Sequence, residues 1–207
     1  WGRAYAESPM YDWLLSQSNP LYSLSGGETI LFDLGATATA ADAQGRVWNS
    51  AAVYKDEATL GPAVPYAMTT GGLRTTVTLS VVDGFYGVVA RGVTGGPLYP
   101  DTTTMDGWLA RTNDPAILRF KGLSPGQEYQ ITIFASDTDS DGANGRLSRY
   151  TIGGQHRDLN IVNNVSNVAI FESVFADSLG EITLSVSPTG TSRYAEIGAI
   201  ELTAIPE

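Results

Sequence analysis

The sequence predicts an all-β protein, a two-sheet antiparallel β-sandwich of the jelly-roll type with one short helix at its N-terminal end. About ten short segments alternate apolar and polar residues with the period of two that strands show. Glycine and proline, 23 and 10 of the 207 residues, separate these segments as turn formers. No helical periodicity interrupts the alternating segments, which favours a sandwich over a fold of mixed helices and strands.

The overall charge limits the class of partner. The chain carries 22 acidic residues against 12 lysines and arginines, a net charge of -10. This net charge argues against a nucleic-acid partner, which would need a basic face. The negative net charge also disfavours binding of strongly anionic polysaccharides, unless a local basic patch overrides it. A neutral glycan is therefore the favoured sugar partner. The absence of cysteine excludes disulfides and thiolate metal sites.

Residues 1–18 differ from the rest of the chain. Ser8-Pro9 is a helix start, with a hydroxyl cap before a proline at the first helical position. Met10, Trp13 and Leu14 then fall on one face at helical spacing, which predicts a short amphipathic helix over residues 9–16.

The same segment resembles a known family. Trp-Gly-Arg-Ala-Tyr (1–5) and Tyr-Asp-Trp-Leu-Leu-Ser-Gln (11–17) resemble the extreme C-terminus of α/β-hydrolase esterases of the feruloyl or acetylxylan type. The resemblance implies an esterase domain upstream in a parent protein. It implies no esterase active site in this chain, because the histidine expected before such a tryptophan and the Gly-x-Ser-x-Gly elbow are both missing.

The β domain is predicted to span residues 28–204, after a linker at residues 19–27 that is rich in serine and glycine. Residues 36–65 and 92–113 read as mostly irregular, and Asp83-Gly84 as a turn. The predicted strands lie at residues 29–34, 73–83, 85–90, 116–120, 128–136, 146–152, 158–162, 168–175, 180–186 and 193–204.

Four motifs of this domain resemble galactose-binding-like or malectin-like modules appended to secreted bacterial carbohydrate enzymes. They are Ile-Leu-Phe-Asp-Leu-Gly (30–35), Leu-Ser-Pro-Gly-Gln-Glu-Tyr (123–129), Arg-Tyr-Thr-Ile-Gly-Gly (149–154) and Ala-Ile-Glu-Leu (199–202). The resemblance implies a β-sandwich and a secreted or cell-surface carbohydrate-binding module. The final residues, 204–207, resemble the start of a PEP-CTERM sorting tail, which residues 205–207 would begin.

Three acids at alternate positions mark the loop between the strands at 128–136 and 146–152. Asp137, Asp139 and Asp141, followed by Gly142, match the first half of an EF-hand loop and predict calcium as a cofactor. The acid expected at the twelfth position is replaced by Ser148, so the predicted site is a hairpin loop completed by other oxygens. The alternative is a solvated turn, which the same residue types favour without any metal.

Aromatic residues in loops are the candidate sugar-binding groups, because flat rings stack on pyranose faces while polar neighbours bind the hydroxyls. The alternative for each ring is that it caps an end of the sandwich. The candidates are Trp48, Asn49, Tyr54, Tyr99, Asp106 and Trp108, with Tyr86 and Asp101 as further members of the set.

Three functions remain open from sequence alone. The first is a non-catalytic carbohydrate-binding module that targets a secreted esterase to polysaccharide. The second is a structural or adhesion spacer at the cell surface, in which the same aromatics are buried. The third is an enzyme, which is disfavoured because the one histidine, His156, lies in a polar turn and no nucleophile, base or metal constellation stands out.

Overall fold

The structure is a computed structural model that describes residues 21–140 and 146–206. It contains fourteen strands and one short helix within those residues. The helix is α1 (Asp101–Thr104). The strands are β1 (Thr29–Asp33), β2 (Trp48–Ser50), β3 (Gly61–Val64), β4 (Thr78–Asp83), β5 (Gly87–Val89), β6 (Gly107–Arg111), β7 (Ala116–Lys121), β8 (Glu128–Phe134), β9 (Leu147–Ile152), β10 (Gln155–Asn160), β11 (Ala169–Phe175), β12 (Ile182–Pro188), β13 (Tyr194–Ile197) and β14 (Ala199–Ala204).

Two larger sheets form the sandwich. The five-stranded sheet has the order β11-β8-β14-β1-β2, and the six-stranded sheet has the order β10-β9-β12-β7-β4-β3. All neighbours in these sheets are antiparallel except β1 and β2. The predicted all-β sandwich is therefore confirmed.

The core lies between the two sheets and follows from the alternation in the sequence. Along β8, Tyr129, Ile131 and Ile133 are fully buried, while Gln130 and Thr132 are only partly covered. The apolar sides of both sheets merge into one cluster, in which Phe32 of β1 meets Phe120 of β7 at 5.7 Å between ring centres. Burying these side chains drives the two sheets together.

A third sheet, with the order β13-β6-β5, lies beside the sandwich. Its registers pair Ala195 with Ala110 and Ile197 with Trp108, and all four of these side chains are buried. Tyr194, Leu109 and Arg111 alternate with them and point to the other side of the sheet. This outer side carries the site described below.

Several sequence predictions about strands were wrong. Strand β6 lies inside residues 92–113, which were predicted to be mostly irregular, and the strand predicted at 85–90 is the shorter β5, which pairs with β6. Strands β8 and β9 belong to different sheets, so the acidic segment between them crosses between sheets and is not a hairpin loop. The helix predicted at residues 9–16 lies outside the described residues.

Candidate functional site

The structure buries most of the aromatic residues that were predicted to bind sugar. Trp48 and Tyr99 are 3% and 8% exposed, and their rings meet edge to face at 5.6 Å. Tyr99 also packs on Phe134 at 5.3 Å, and together these residues cover the outer side of the five-stranded sheet with a second apolar cluster. The burial of Trp48 therefore corrects the prediction for that ring, whereas Tyr99 keeps a small exposed part that lines a surface cavity of about 240 Å³.

Trp108 and Asp106 are also part of the interior. Trp108 has no exposed surface and packs edge to face on Phe85 at 5.1 Å. Asp106 is buried and accepts a hydrogen bond from the backbone N–H of Thr37 at 2.7 Å. Both therefore hold the fold together, and neither is available to a sugar.

Asn49 has a structural role as well, whereas Tyr54 stays near the surface. The buried amide of Asn49 donates to the carbonyls of Leu31 and Met68, and its oxygen accepts from the N–H of Met68. Tyr54 is half-buried and lines a surface cavity together with Tyr86. Of the six predicted sugar-binding residues, Tyr54 alone lines a cavity next to the cleft described below.

The acidic loop that was predicted to bind calcium is held by arginines. Asp137 is fully buried, and its Oδ2 accepts hydrogen bonds from Arg91 Nη2, at 3.0 Å, and from Arg146 Nη1. Its Oδ1 accepts the N–H of Asp139 at 2.8 Å. Asp139 is half-exposed and pairs with Arg91 at 3.2 Å and with Arg146 at 3.3 Å.

This arrangement bears on the calcium prediction without testing it. The guanidinium groups of Arg91 and Arg146 already neutralise the two carboxylates that a cation would need. The described residues contain no cluster of three or more histidine, cysteine, aspartate or glutamate side chains suited to a metal. Asp141, the third predicted ligand, lies outside the described residues, so calcium binding stays a prediction.

A second carboxyl group joins the buried arginine. Glu196 of β13 is 1% exposed, and its Oε1 accepts from Arg146 Nη1 at 2.5 Å. Burial, followed by the hydrogen bond and repulsion from Asp137, raises the pKa of Glu196 to about 9. Glu196 is therefore protonated at neutral pH, while Asp137, whose pKa is lowered by its hydrogen bonds despite burial, is ionised.

A surface cleft lies directly against this buried group. We call it the tyrosine–arginine cleft; its volume is about 440 Å³, within the range of small-molecule sites. The cleft is formed by the outer side of the β5–β6–β13 sheet, the segment after β5 and the acidic segment between β8 and β9. It is lined by Tyr86, Val88, Val89, Ala90, Arg91, Leu109, Asp139, Arg146, Arg193 and Tyr194.

Two tyrosines stack beside each other in the cleft. Tyr86 precedes β5 and is 50% exposed, and Tyr194 opens β13 and is half-buried. Their ring centres are 6.1 Å apart with an angle of 27° between the planes. Arg111 lies over Tyr86 at 4.6 Å, and Arg146 lies over Tyr194 at 5.5 Å, so cations fix both rings.

Backbone hydrogen bonds of the three-stranded sheet position Tyr86 and Tyr194. The N–H of Tyr86 donates to the carbonyl of Leu109 at 2.7 Å, and Tyr194 lies opposite Arg111 in the β13–β6 register. On the opposite wall, the N–H of Thr138 donates to the carbonyl of Arg91 at 2.8 Å. Main-chain hydrogen bonds therefore hold both walls in place.

The cleft is more basic than the protein as a whole. Its lining contains three arginines, Arg91, Arg146 and Arg193, and one acid, Asp139. Arginine donates to hydroxyl, carbonyl and acid oxygens in a fixed planar geometry. Arg146 is buried and already donates to carboxyl groups, so the exposed Arg91 and Arg193 are the lining arginines placed to donate to a ligand. The cleft thus combines two aromatic rings with hydrogen-bond donors, the two features that recognition of a sugar requires.

Sequence reasoning named Tyr86 as a sugar contact and Asp139 as a calcium ligand, and it missed the other members of the cleft. Tyr194 and Arg193 lie in a segment that reads as an ordinary strand, so nothing local separates them from other strand residues. Arg146 had a usable signal, since an arginine close to three aspartates in the chain indicates internal ion pairing as readily as metal binding.

Solved structures share this fold at low sequence identity. The extracellular domain of ANXUR2 from Arabidopsis thaliana is 13% identical with a TM-score of 0.54, over 86% of this chain and 42% of that one. The ANX2 ectodomain from Arabidopsis thaliana is 11% identical with a TM-score of 0.59, over 90% of this chain and 54% of that one. These ectodomains are malectin-like, which agrees with the fold that the sequence resemblance implied.

These similarities describe the fold alone. The chain spans about half or less of the length of the two ectodomains. A module solved in complex with β-1,4-galactotriose has a TM-score of 0.35 at 13% identity, over 61% of this chain and 88% of that one, which is too distant to carry an argument. No protein-family model matches the chain, and no curated protein matches its sequence.

Proposed function

We propose that this chain is a non-catalytic carbohydrate-binding module whose tyrosine–arginine cleft binds an oligosaccharide. The observation that carries the proposal is the pair of stacked rings, Tyr86 and Tyr194, in a cleft of about 440 Å³ that also presents arginine donors. The C–H face of a sugar packs on the tyrosine rings, and the hydroxyl oxygens of the sugar accept hydrogen bonds from the guanidinium groups. The malectin-like sandwich supports the same class of function at the level of the fold.

The preferred charge of the glycan is a separate question. The net charge of the chain favours a neutral glycan, whereas the arginines of the cleft also suit a sugar with an acid substituent. We therefore propose an oligosaccharide as the ligand of this cleft, and a preference for uncharged oligosaccharides stays a prediction. A panel with neutral and uronic-acid oligomers separates the two.

The biological setting follows from the sequence resemblances. We propose that the module is secreted or displayed at the cell surface and that it tethers an upstream esterase to polysaccharide, raising the local concentration of the enzyme on its substrate. Within residues 21–140 and 146–206, no helix has the length and apolar character needed to cross a membrane. The esterase and sorting-tail segments, residues 1–18 and 205–207, stay predictions.

The second candidate is a structural or adhesion spacer without a sugar site. One specific observation favours it, because that function predicts buried aromatics, and Trp48, Tyr99 and Trp108 are buried. The tyrosine–arginine cleft favours the binding module instead. The two candidates differ in whether any glycan binds at Tyr86 and Tyr194.

The first experiment is affinity electrophoresis and isothermal titration on xylan, mannan, glucan, galactan and polygalacturonate, each with calcium and with a chelator. Binding to one or more glycans supports the module, and binding to none of them under either condition favours the spacer. Loss of binding in chelator would support the predicted calcium site at Asp137, Asp139 and Asp141.

A further inference from the structure

We propose that a second glycan site surrounds Phe175 and takes an extended, uncharged oligosaccharide. This site shares no residue with the tyrosine–arginine cleft, and it stands whether or not that cleft binds sugar. Phe175 ends β11 and is 60% exposed, whereas Ala169, Phe171 and Val174 of the same strand are buried.

Two cavities meet at the Phe175 ring. One has a volume of about 380 Å³ and lies between the β9–β10 turn, the end of β11 and the start of β12. The other has a volume of about 180 Å³ and is lined by Phe175 with Gly126, Gln127, Glu128, Ile205 and Pro206. A ring shared by two adjoining cavities suits a chain of sugar units that passes across it, with a unit on each side.

The polar groups around the larger cavity are those that hydroxyl groups need. Side-chain oxygen and amide groups come from Ser173, Thr183, Gln155, Asp177 and Glu181, all of which line it. Among the described residues that line the two cavities there is no lysine, arginine or histidine. A neutral sugar donates hydroxyl hydrogens to carboxylates, whereas an acidic sugar is repelled by Asp177 and Glu128 of the two linings, so the site favours an uncharged ligand.

The two carboxylates of the larger cavity are held in place before any ligand arrives. Asp177 Oδ1 accepts the N–H groups of Leu179 and Glu181, each at 2.9 Å. Glu181 pairs with Arg119 at 3.2 Å and with Lys121 at 3.7 Å, and both partners stand outside the cavity lining. Fixed acceptors lose little freedom on binding, which favours affinity.

The site occupies the edges of the sandwich, away from the small sheet that carries the first cleft. β10 and β11 are the edge strands of the six-stranded and five-stranded sheets. Ile152, Val174 and Ile182 are buried beneath the larger cavity and give it a rigid apolar floor. Two sites on different surfaces would let one module hold two glycan chains, or two stretches of one chain, at once.

The test compares Phe175→Ala with Leu179→Ala by isothermal titration. Leu179 is a matched control because it is 77% exposed, lies on the same surface and does not line either cavity. The probes are xylo-, manno-, gluco- and galacto-hexasaccharides, with a galacturonate hexamer as the acidic comparison. All variants are made both in the native chain and in a Tyr86→Ala/Tyr194→Ala background, in which the first cleft is disabled.

The expected result is binding of a neutral hexasaccharide in the double-tyrosine background. Phe175→Ala weakens that binding by at least about tenfold, while Leu179→Ala changes it less than about twofold. The proposal is overturned if no neutral hexasaccharide binds in that background, or if Phe175→Ala leaves the affinity for the hexasaccharide unchanged. Loss of all binding in the double-tyrosine background, with retention in Phe175→Ala, would leave the first cleft as the sugar site.

Discussion

The guanidinium of Arg146 lies 5.5 Å from the centre of the Tyr194 ring, so a buried cation directly supports an aromatic wall of the cleft. The same guanidinium donates to Asp137 and Glu196, which sit on different elements of the fold. Arg146 therefore links the segment after β8, strand β13 and the cleft. Arg146 contributes both to the binding surface and to the packing of the fold.

Arg146→Ala is predicted to lower the free energy of unfolding by about 3 kcal/mol, because it breaks a buried ion pair and leaves the partly exposed Arg91 as the remaining guanidinium on the buried Asp137. Arg149→Ala is the control. Its pair with Asp158 is solvent-exposed, at 36% and 37%, and is expected to contribute less than about 1 kcal/mol. Urea denaturation followed by circular dichroism measures both. Equal losses in the two variants would contradict a buried, structural Arg146.

The raised pKa of Glu196 predicts that the protein loses stability as the pH rises. The ordinary value is 4.5 and the folded value is about 9, so between these limits the folded state holds a proton that the unfolded state has released. The free energy of unfolding therefore falls with increasing pH across this window. Glu196→Gln, which keeps the shape without the titration, should show a shallower fall.

Melting temperatures at several pH values from about 5 to about 9 check this prediction. A residual fall in the acidic part of the range is expected in both proteins, because burial raises the pKa of Asp33 to about 6. Equal slopes for the native protein and Glu196→Gln across the whole range would mean that Glu196 is not protonated in the fold.

The buried tryptophans predict a simple spectroscopic result. In a Trp1→Phe/Trp13→Phe variant the remaining tryptophans are Trp48 and Trp108, which are 3% and 0% exposed. Their fluorescence should be blue-shifted and resistant to iodide, and an oligosaccharide ligand should not change the quenching. Strong iodide quenching that a bound sugar relieves would restore these residues as candidate sugar contacts.

Gly35→Ala is predicted to destabilise the protein by about 1–3 kcal/mol through overpacking. An added Cβ would lie 1.8 Å from Oδ1 of Asp106, a buried carboxylate that the N–H of Thr37 holds in place. Gly87→Ala is the matched control, because its Cβ meets nothing within 4 Å. Thermal denaturation of both variants checks the difference, and a neutral Gly35→Ala would mean that Asp106 moves freely.

The sequence predicted the class of fold well because alternation reports directly which side of a strand is buried. Strand β8 illustrates this, since the predicted apolar face is the face that enters the core. Strand β6 was missed because its burial depends on pairing with β5 and with β13, the latter more than 80 residues further along the chain. Pairing between distant segments leaves no local pattern.

The candidate site was less predictable for a related reason. Trp48 and Tyr99 lie in segments that read as loops, and their burial comes from covering the outer side of a sheet that the sequence does not reveal. Tyr54 and Tyr86 look similar in sequence but are more exposed than Trp48 and Tyr99. The exposure of an aromatic ring depends on how the whole chain packs. Only the three-dimensional structure therefore distinguishes the buried pair, Trp48 and Tyr99, from the more exposed pair, Tyr54 and Tyr86.

The most direct measurement of the central claim is glycan affinity in Tyr86→Ala and Tyr194→Ala, with Tyr66→Ala as the matched control. Tyr66 is 46% exposed and has Arg74 over its ring at 5.3 Å, much as Tyr86 is 50% exposed with Arg111 over its ring, but Tyr66 lies outside the cleft. The ligand is the glycan that binds best in the panel, measured by isothermal titration. We expect losses of at least about tenfold for the two cleft variants and less than about twofold for Tyr66→Ala. Unchanged affinity in both cleft variants would contradict the central claim.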